Sequence, residues 1–312
     1  MSGVTLATGS PRAMIADVLA LRRLVRAERV DVIHANHSHD HWLALVARSA
    51  RRDRRVPVVR TFHNARAVKR GPLARVAYGR TAMAFAVSRE IETRCRAAGF
   101  STERTTWIPG SVDLDRFRGG DAAAIREELK LGDAPVIVMV ARFAAHRGHE
   151  LLLAGFRELL ARFPDARLLL VGKGELRQKL EQRVAELSLT ERVVFTGYRD
   201  ADLPSVLAAA DCFVLMAAGS DESCRAALEA MAAARPVVAR RVGALPETVV
   251  EGQTGTFIKD GTPGGIASAI GLILDDRARA RAMGQAGRRR AEEIFAPDRA
   301  VAAVEQVYRT LA

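Results

Sequence analysis

The chain has 312 residues, 49% of them hydrophobic, so it is long enough to bury two cores of ordinary domain size. Its three cysteines (Cys95, Cys212 and Cys224) have no CxxC spacing, which argues against a disulfide framework and favours a reducing compartment. The sequence has no apolar run of about 18 residues and no signal-peptide core near its start, so we expect a cytoplasmic protein without a membrane span.

The net charge of +12 comes from the first part of the chain. Residues 1–120 hold 22 basic and 10 acidic side chains, whereas residues 121–312 hold 26 of each. This asymmetry indicates an anionic partner for the first part, or simply a soluble arginine-rich surface. Aromatic residues make up only 5% of the chain, which is unlike a base-stacking platform. We therefore expect no nucleic acid and favour an anionic membrane surface on which the protein is peripheral.

In the first part of the chain, short apolar runs alternate with helical patterns, which is typical of βαβ units and a parallel sheet. The predicted strands are Val4–Thr8, Val30–His34, Val56–Phe62, Ala82–Val87 and Thr105–Ile108. Helical patterns cover Met14–Ala27 and His41–Arg51, and a linker with a short helix at Ala122–Lys130 follows. We place the end of this domain at residue 118.

The same alternation continues in the second part, which we expect to form an α/β domain over residues 119–296. Its predicted strands are Val136–Ala141, Arg167–Val171, Val193–Thr196, Cys212–Met216, Pro236–Ala239 and Thr256–Ile258. A last helix is predicted at Pro297–Leu311. In open α/β sheets, ligands bind at the edge where the strands have their carboxyl ends, so the loops after these strands are the candidate site.

The most informative segment runs from Asp211 to Glu247. It reads as a strand, a small polar loop, an Ala-rich helix, a second strand and a glycine loop. Asp221 lies in the first loop and Glu229 inside the helix, with seven residues between them. Taken alone, Asp221 could be a helix N-cap and Glu229 a solvated helix residue.

This segment resembles the donor-binding core of the family 4 glycosyltransferases. Their GT-B fold has two Rossmann-like domains with parallel sheets that face a cleft. The family signature is two glutamates with seven residues between them, and here Asp221 takes the place of the first. The resemblance implies that Asp221 is a catalytic residue beside the donor sugar and that Glu229 holds the nucleotide ribose. It also implies that four residues contact the donor at a helix N-terminus: Glu222, Ser223, Cys224 and Arg225. The family has Gly-Phe-Gly in place of the first three.

The segment Val138–Phe156 is a strand, a basic loop and a helix. In the resembling family, cations at the positions of Arg142 and Arg147 contact the donor diphosphate, and guanidinium groups suit phosphate oxygens. Two solvated loop arginines are the alternative. By the same resemblance, Gly172 lets the backbone approach the donor and Tyr198 lies near the nucleotide base.

Four histidines cluster in HANHSHDH: His34, His37, His39 and His41. A metal site is the alternative here, but a loop that follows a strand and opens a helix is the favoured interpretation, and we expect no metal. His63, in the segment TFHN, resembles a family histidine that approaches the donor sugar or phosphate. It is the candidate site residue of the first domain.

The resemblance implies a retaining glycosyltransferase that moves a hexose-type sugar from a nucleoside diphosphate sugar to a glycan or lipid-linked acceptor, without a separate cofactor. Residues 1–13 do not match the strand and glycine-rich loop with which the family begins, so we expect a shortened N-terminal domain. Two alternatives stay open. One is a non-catalytic nucleotide-sugar-binding or assembly protein. The other is a sugar-nucleotide epimerase of the same fold, against which Arg142 and the pair of Asp221 and Glu229 argue.

Overall fold

The computed structural model describes residues 11–48, 50–51, 54–219 and 221–312. The chain divides into two compact units, one of Met1–Pro109 with Ala300–Ala312 and one of Gly110–Arg299. The division falls before residue 118 because the intervening segment packs with the second unit. The backbone N–H of Val112 donates to the carbonyl of Phe295 (3.0 Å), and Val112 and Phe117 are buried in the second unit's core.

The first unit contains a parallel sheet and a separate antiparallel pair of short strands. Its strands are β1 (Ile33–Ala35), β2 (Ala50–Arg51), β3 (Arg54–Arg55), β4 (Val58–Phe62), β5 (Met83–Ala86) and β6 (Thr105–Trp107). Its helices include α1 (Pro11–Ala27), α2 (Ser38–Ala47), α3 (Pro72–Gly79) and α4 (Arg89–Ala97). The sheet has the order β1-β4-β5-β6 with every pair parallel, and β4 is buried along its whole length.

One predicted helix of this unit differs clearly from the structure. Instead of His41–Arg51, the helix α2 begins at Ser38 and ends at Ala47, and the chain then forms the β2–β3 pair. After Ala47 the sequence is mostly arginine, so it lacks the apolar residues every three or four positions that would hold a helix against the core. The predicted strand Val4–Thr8 lies outside the described residues.

The second unit is a six-stranded sheet between two layers of helices. Its strands are β7 (Val136–Val140), β8 (Arg167–Val171), β9 (Val193–Gly197), β10 (Cys212–Leu215), β11 (Val237–Ala239) and β12 (Gly255–Phe257). Its helices are α5 (Ala122–Glu128), α6 (His149–Leu159), α7 (Arg177–Glu186), α8 (Leu203–Ala208), α9 (Arg225–Ala232), α10 (Leu245–Thr248), α11 (Pro263–Leu274), α12 (Arg277–Ile294) and the start of α13 (Pro297–Leu311).

All neighbouring strands of this sheet are parallel, in the order β12-β11-β10-β7-β8-β9. The strands are apolar on both faces because each face is covered by its own hydrophobic cluster, with α6 packed on α11 and α9 packed on α12. The strand order reverses between β7 and β10. Connections leave these two strands in opposite directions, so a crevice opens at their carboxyl ends.

Among the described helices, none combines the length and apolar character that a membrane crossing requires.

Candidate functional site

Two adjoining cavities lie at the carboxyl edge of the second unit's sheet. The larger has a volume of about 880 Å³ and is bounded by the loops after β7, β8 and β9 together with α9. The smaller, of about 200 Å³, lies between the loops after β7 and β10. Arg225 and Ala226, the first residues of α9, line both cavities, so the positive end of this helix is directed at both. The two cavities together occupy the crevice at the carboxyl ends of β7 and β10.

The loops after β7 and β8 are fastened to each other by backbone contacts. Phe143 N–H donates to the Lys173 carbonyl and Leu176 N–H donates to the Phe143 carbonyl, both at 3.0 Å. Gly172 has φ +149°, and a Cβ at this position would overlap the carbonyl oxygen of Ala141. Glycine is therefore required at position 172 for this close approach, and the rim of the cavity is held as one piece.

Arg142 lies on this rim as an exposed side chain. Its Nη2 is 3.0 Å from Oε2 of Glu175, and both residues line the larger cavity. Because the pair is exposed, the ion pair is weak and an anionic ligand can displace Glu175 at little cost. The guanidinium is thus placed where a ligand phosphate would compete for it.

Tyr198 and Lys173 form the outer wall of the larger cavity. The Tyr198 ring is 64% exposed, and Lys173 Nζ lies 4.9 Å from its centroid. An exposed ring of this kind is a surface on which a planar base can stack. Sequence reasoning missed Lys173, although its position two residues after β8 at the same sheet edge was the available signal.

Glu229 lies on the inner wall of the larger cavity. Its side chain is 12% exposed, and Oε1 is 3.2 Å from Nε of Arg225 one turn earlier in α9. Burial raises the pKa of this carboxyl above its ordinary value, although the charges of Arg225 and Arg116 oppose the shift. A half-desolvated carboxylate on a cavity wall is well suited to accept hydrogen bonds from a ligand's hydroxyl groups.

Arg116 and Asp200 complete this wall. Arg116 Nη2 donates to both Oδ1 and the carbonyl oxygen of Asp200 at 2.6 Å. The bond to the Asp200 carboxylate raises the pKa of Arg116 above its ordinary value. The carboxylate of Asp200 is 66% exposed and lines the cavity. Arg116 was missed because it belongs to the segment before α5, about 80 residues from its partner. Arg199, which also lines the cavity, instead pairs with Glu128 and with Asp202 (2.5 Å).

Asp221 lines the smaller cavity as an exposed side chain. Its Oδ1 accepts a hydrogen bond from the backbone N–H of Ser223 (2.9 Å), which closes a local turn. The residue before α9 is Cys224, in the left-handed region with φ 55°, and α9 has no side-chain cap. Asp221 is therefore not the N-cap of this helix.

Arg147 lines the same small cavity from the loop after β7. Gly219 has φ +87°, and a Cβ there would overlap Nη1 of Arg147. The loop after β10 thus lies directly against this guanidinium. Asp221 and Arg147 therefore both line this small cavity, while their roles toward a ligand stay predictions.

The remaining predicted residues of this loop support it rather than line the larger cavity. Cys224 borders the smaller cavity, but its thiol is buried, contacts the carbonyls of Glu222 and Val242, and has its pKa raised by burial to about 12. Such a thiol is no nucleophile. Ser223 is buried, and the described linings of the two cavities include neither it nor Glu222.

In the first unit, His63 is half-buried and its Nε2 is 3.2 Å from Oδ1 of Asn36. His34, near it, bonds Thr61 Oγ1 through Nε2 (2.7 Å) and the Tyr308 hydroxyl through Nδ1 (2.5 Å). Burial, and to a lesser degree His63, lowers the pKa of His34. The contacts of His34 join β1, β4 and α13 and place His63 beside this junction.

One member of the histidine cluster, His41, lies in the core of the first unit, whereas His37 is exposed. His41 is buried: Nδ1 accepts from Arg60 Nη1 (3.0 Å) and Nε2 donates to Thr81 Oγ1 (2.7 Å), which in turn donates to the Ala77 carbonyl. Burial, reinforced by Arg60, lowers its pKa to about 3. With both ring nitrogens occupied, His41 is not available as a metal ligand. Among the described residues, no group of three or more His, Cys, Asp or Glu side chains could hold a metal ion.

A parallel sheet with cations, a buried carboxylate and a helix N-terminus at its reversal point is the arrangement in which open α/β proteins bind anionic ligands. Residues 121–290 match the family model Glycosyl transferases group 1, and residues 3–116 match the model Glycosyltransferase Family 4. The chain belongs to the glycosyl transferases group 1 family.

Relatives of known name are similar over most of this chain. A GDP-mannose-dependent alpha-(1-6)-phosphatidylinositol monomannoside mannosyltransferase from Mycolicibacterium smegmatis is 39% identical over 211 residues, which cover 65% of this chain and 55% of the relative. A D-inositol 3-phosphate glycosyltransferase from Nocardia farcinica is 33% identical over 282 residues, covering 80% of this chain and 60% of the relative. The match thus spans a little over half the length of these relatives.

The fold is that of GT-B glycosyltransferases. The crystal structure of Anabaena HepE in complex with UDP superposes with a TM-score of 0.80 at 22% identity, covering 96% of this chain and 82% of that one. At this identity the likeness establishes the fold alone.

Proposed function

We propose that this protein is a retaining glycosyltransferase. It would move a hexose-type sugar from a nucleoside diphosphate sugar to a glycan or lipid-linked acceptor of the cell envelope. One observation carries the proposal: a nucleotide-sized cavity and a sugar-sized cavity adjoin at the start of α9, and the carboxylates Glu229 and Asp221 lie on one each. Volumes of about 880 and 200 Å³ fit the nucleotide and the sugar of one donor molecule.

In this proposal, cations and a helix end stabilise the leaving diphosphate. Arg142 lies on the larger cavity, Arg147 on the smaller, and the start of α9 on both, so the diphosphate would lie where the cavities meet. Charge that develops on the leaving oxygen is then met by groups already in place. The chemistry needs no general base from the protein if the leaving phosphate takes the acceptor's proton.

The two carboxylates, Glu229 and Asp221, bind different parts of the donor. Glu229 accepts hydrogen bonds from the ribose hydroxyls. Asp221 lies beside the sugar, and its Oδ1 accepts a hydrogen bond from the backbone N–H of Ser223. The turn fixes the carboxylate without a helix cap and suits it to orient a sugar hydroxyl.

We propose guanine as the base of the donor. Guanine presents N1–H and N2–H₂ side by side, and a carboxylate accepts such a pair, whereas uracil offers a single N–H between two carbonyls. Asp200 is an exposed carboxylate on the cavity wall, two residues after the Tyr198 ring. A GDP-mannose-dependent relative at 39% identity supports the same choice.

We also propose that the first unit contacts an anionic membrane surface, where a lipid-linked acceptor would be found. The helix α3 exposes Leu73 (73%) and Val76 (49%) on one face, with Lys69, Arg70 and Arg75 exposed around them. Apolar side chains surrounded by cations are the pattern that binds the interface of anionic bilayers. Replacing Leu73 and Val76 by serine should reduce flotation with anionic vesicles, whereas Val301→Ser, equally apolar and exposed on α13, should not.

The direct test is calorimetric titration of GDP, UDP and ADP into the wild type, Arg142→Ala and the control Arg157→Ala. Arg157 is an exposed arginine of α6 outside both cavities. We expect saturable binding of GDP that falls roughly tenfold or more in Arg142→Ala and is unchanged in the control.

Release of mannose from GDP-mannose, followed with and without acceptor lipid extract, then tests catalysis. Binding without turnover would favour the non-catalytic nucleotide-sugar-binding protein. A failure of all three nucleotides to bind would refute the donor site itself.

A further inference from the structure

The second unit has another cavity, of about 680 Å³, beside the edge strand β12. It is bounded by the segment after β11 (Arg240–Val242), by β12 with the loop that follows it, and by α11 and α12. Among the described residues, its lining shares no member with the two cavities of the proposed donor site. It is therefore a separate feature that the proposed function does not use.

The floor of this cavity is apolar and rigid. Phe257, Ile258, Ile273 and Met283 line it and are each buried, with exposures of 7% or less. Leu272 lies at the rim with an exposure of 51%. A floor made of core side chains keeps its shape when the rim is occupied, which favours a preformed binding site.

Four cations and two carboxylates line the rim, and both carboxylates already have partners. Glu251 accepts from Thr256 Oγ1 (2.6 Å) and from Phe257 N–H (3.0 Å), and it lies 3.5 Å from Arg241. Asp260 accepts from the N–H (3.0 Å) and the hydroxyl of Thr262, which lowers its pKa. Glu251 thus already has one of the four cations, Arg241, as its partner, and Asp260 is engaged in a local turn.

Three of the cations remain without an ion-pair partner in the described part of the chain: Arg240 after β11, Lys259 after β12 and Arg279 on α12. The fourth, Arg241, lies 4.0 Å over the Phe257 ring. Cations from three separate segments thus converge on one concave surface whose acids are already engaged. The three side chains are exposed, so solvent screens their mutual repulsion, and a multiply charged anion in the cavity would interact with all three at once.

We propose that this cavity is a binding site for a small molecule that bears two or more phosphate charges. Guanidinium groups contact phosphate oxygens in pairs, and three cations around a volume of about 680 Å³ match a diphosphate with a small organic body on the apolar floor. A single monovalent anion would leave two of the three cations unmatched.

The wall of this cavity continues into the loop that supports the proposed donor site. The carbonyl of Val242 accepts from the Cys224 thiol (3.9 Å), and Ala244 N–H donates to the Glu222 carbonyl (2.8 Å). Between them, Gly243 with φ +55° lies against Ala218 and Cys224. A ligand that shifts Arg240–Val242 would therefore change the donor loop. This regulatory consequence rests on the proposed function, whereas binding to the cavity does not.

The test uses inorganic pyrophosphate as the probe in calorimetric titrations. Pyrophosphate should also enter the donor site, so the reference protein is Arg142→Gln/Arg147→Gln, in which that site is weakened. We expect this protein to retain saturable pyrophosphate binding. Adding Arg240→Gln/Arg279→Gln to this protein should lower its pyrophosphate affinity roughly tenfold or more. The control adds Arg157→Gln/Arg289→Gln, which removes the same charge from exposed positions outside the three cavities. This control should leave the affinity unchanged.

Absence of pyrophosphate binding in the reference protein, or equal affinity with either added pair of substitutions, would overturn the proposed site. If cavity binding is present but GDP does not bind the wild type, the donor proposal fails and the cavity proposal stands. The regulatory link is tested by the pyrophosphate dependence of GDP affinity, compared between wild type and Arg240→Gln/Arg279→Gln. Competition alone gives the same dependence in both, and that result would refute the link.

Discussion

Replacing Glu229 by glutamine should weaken nucleotide binding without destabilising the protein. The substitution keeps the size of the side chain but removes its charge on the wall of the larger cavity. Because burial raises the pKa of Glu229 in the folded protein, the folded state binds this proton more readily than the unfolded chain. Stability therefore falls as the pH rises through the interval between the two pKa values, and at neutral pH the carboxylate is destabilising. Glutamine removes that effect.

The loss of binding follows from the hydrogen bonds that the carboxylate makes to the ribose. A hydrogen bond to a charged group contributes about 1.5–3 kcal/mol, and glutamine keeps one acceptor oxygen of the two. The net loss is then about 2–3 kcal/mol, which corresponds to a Kd for GDP raised roughly 30- to 150-fold. The ion pair with Arg225 contributes little to either quantity, since the Arg225 side chain is 70% exposed.

Calorimetric titration of wild type and Glu229→Gln with GDP and with 2′,3′-dideoxy-GDP forms a double-mutant cycle, which measures the interaction between Glu229 and the ribose hydroxyls. The wild type should bind the dideoxy compound more weakly than GDP by at least the factor that the substitution causes. The Glu229→Gln protein, which keeps one acceptor oxygen, should show a much smaller preference for GDP. A melting temperature well below that of the wild type, or an undiminished preference of the variant for GDP over its dideoxy form, would refute the assignment of Glu229 to the ribose.

Three further predictions follow from other contacts. Gly172→Ala should lower the free energy of unfolding, measured in denaturant titrations, by about 3 kcal/mol or more, because the new Cβ overlaps the Ala141 carbonyl. The control is Gly132→Ala, which is also at positive φ but has open space around it, and it should lower the free energy of unfolding by only about 1–2 kcal/mol. Gly219→Ala should displace Arg147 and reduce sugar transfer more than GDP affinity, and equal loss of both would contradict the separation of the two cavities. Stability should fall as the pH is lowered from about 6.5 toward 3, by up to about 1.4 kcal/mol per pH unit for His41, because its folded pKa is about 3. His41→Gln can bond both Arg60 and Thr81, so it should flatten this dependence in urea titrations at several pH values, and an unchanged slope would show that His41 is not responsible.

Much of the second unit could be predicted from its sequence because local pattern and tertiary burial agree there. The strand Arg167–Val171 has the predicted bounds, and the other strands of this unit differ by one residue at one or both ends. The helix Pro297–Leu311, most of which belongs to the first unit, also has its predicted bounds. Strands covered on both faces give continuous apolar runs, and the turns between them carry glycine. The arginine-rich segment after Ala47 has no such signal, and the helix predicted there is wrong.

The loops of the site could be predicted, but not the partners of their side chains. The order of strands and carboxylates indicated which loops meet at the sheet edge, and Arg142, Gly172, Tyr198, Arg225 and Glu229 do line one cavity. The bond from Arg116 to Asp200, the pair of Arg142 with Glu175 and the turn formed by Asp221 depend on three-dimensional approach. No spacing along the chain specifies them.

The burial of all three cysteine thiols gives the protein internal reporters of local opening. Burial raises the pKa of each thiol, to about 12 for Cys95 and Cys224, so almost no thiolate exists at neutral pH in the closed structure. Alkylation must then wait for a fluctuation that exposes each sulfur. Cys95 lies in the first unit, Cys212 in the sheet of the second and Cys224 under the loop after β10. The alkylation rate of each cysteine, measured by peptide mass spectrometry, would therefore report how often the structure opens at three separate places in one unmodified chain.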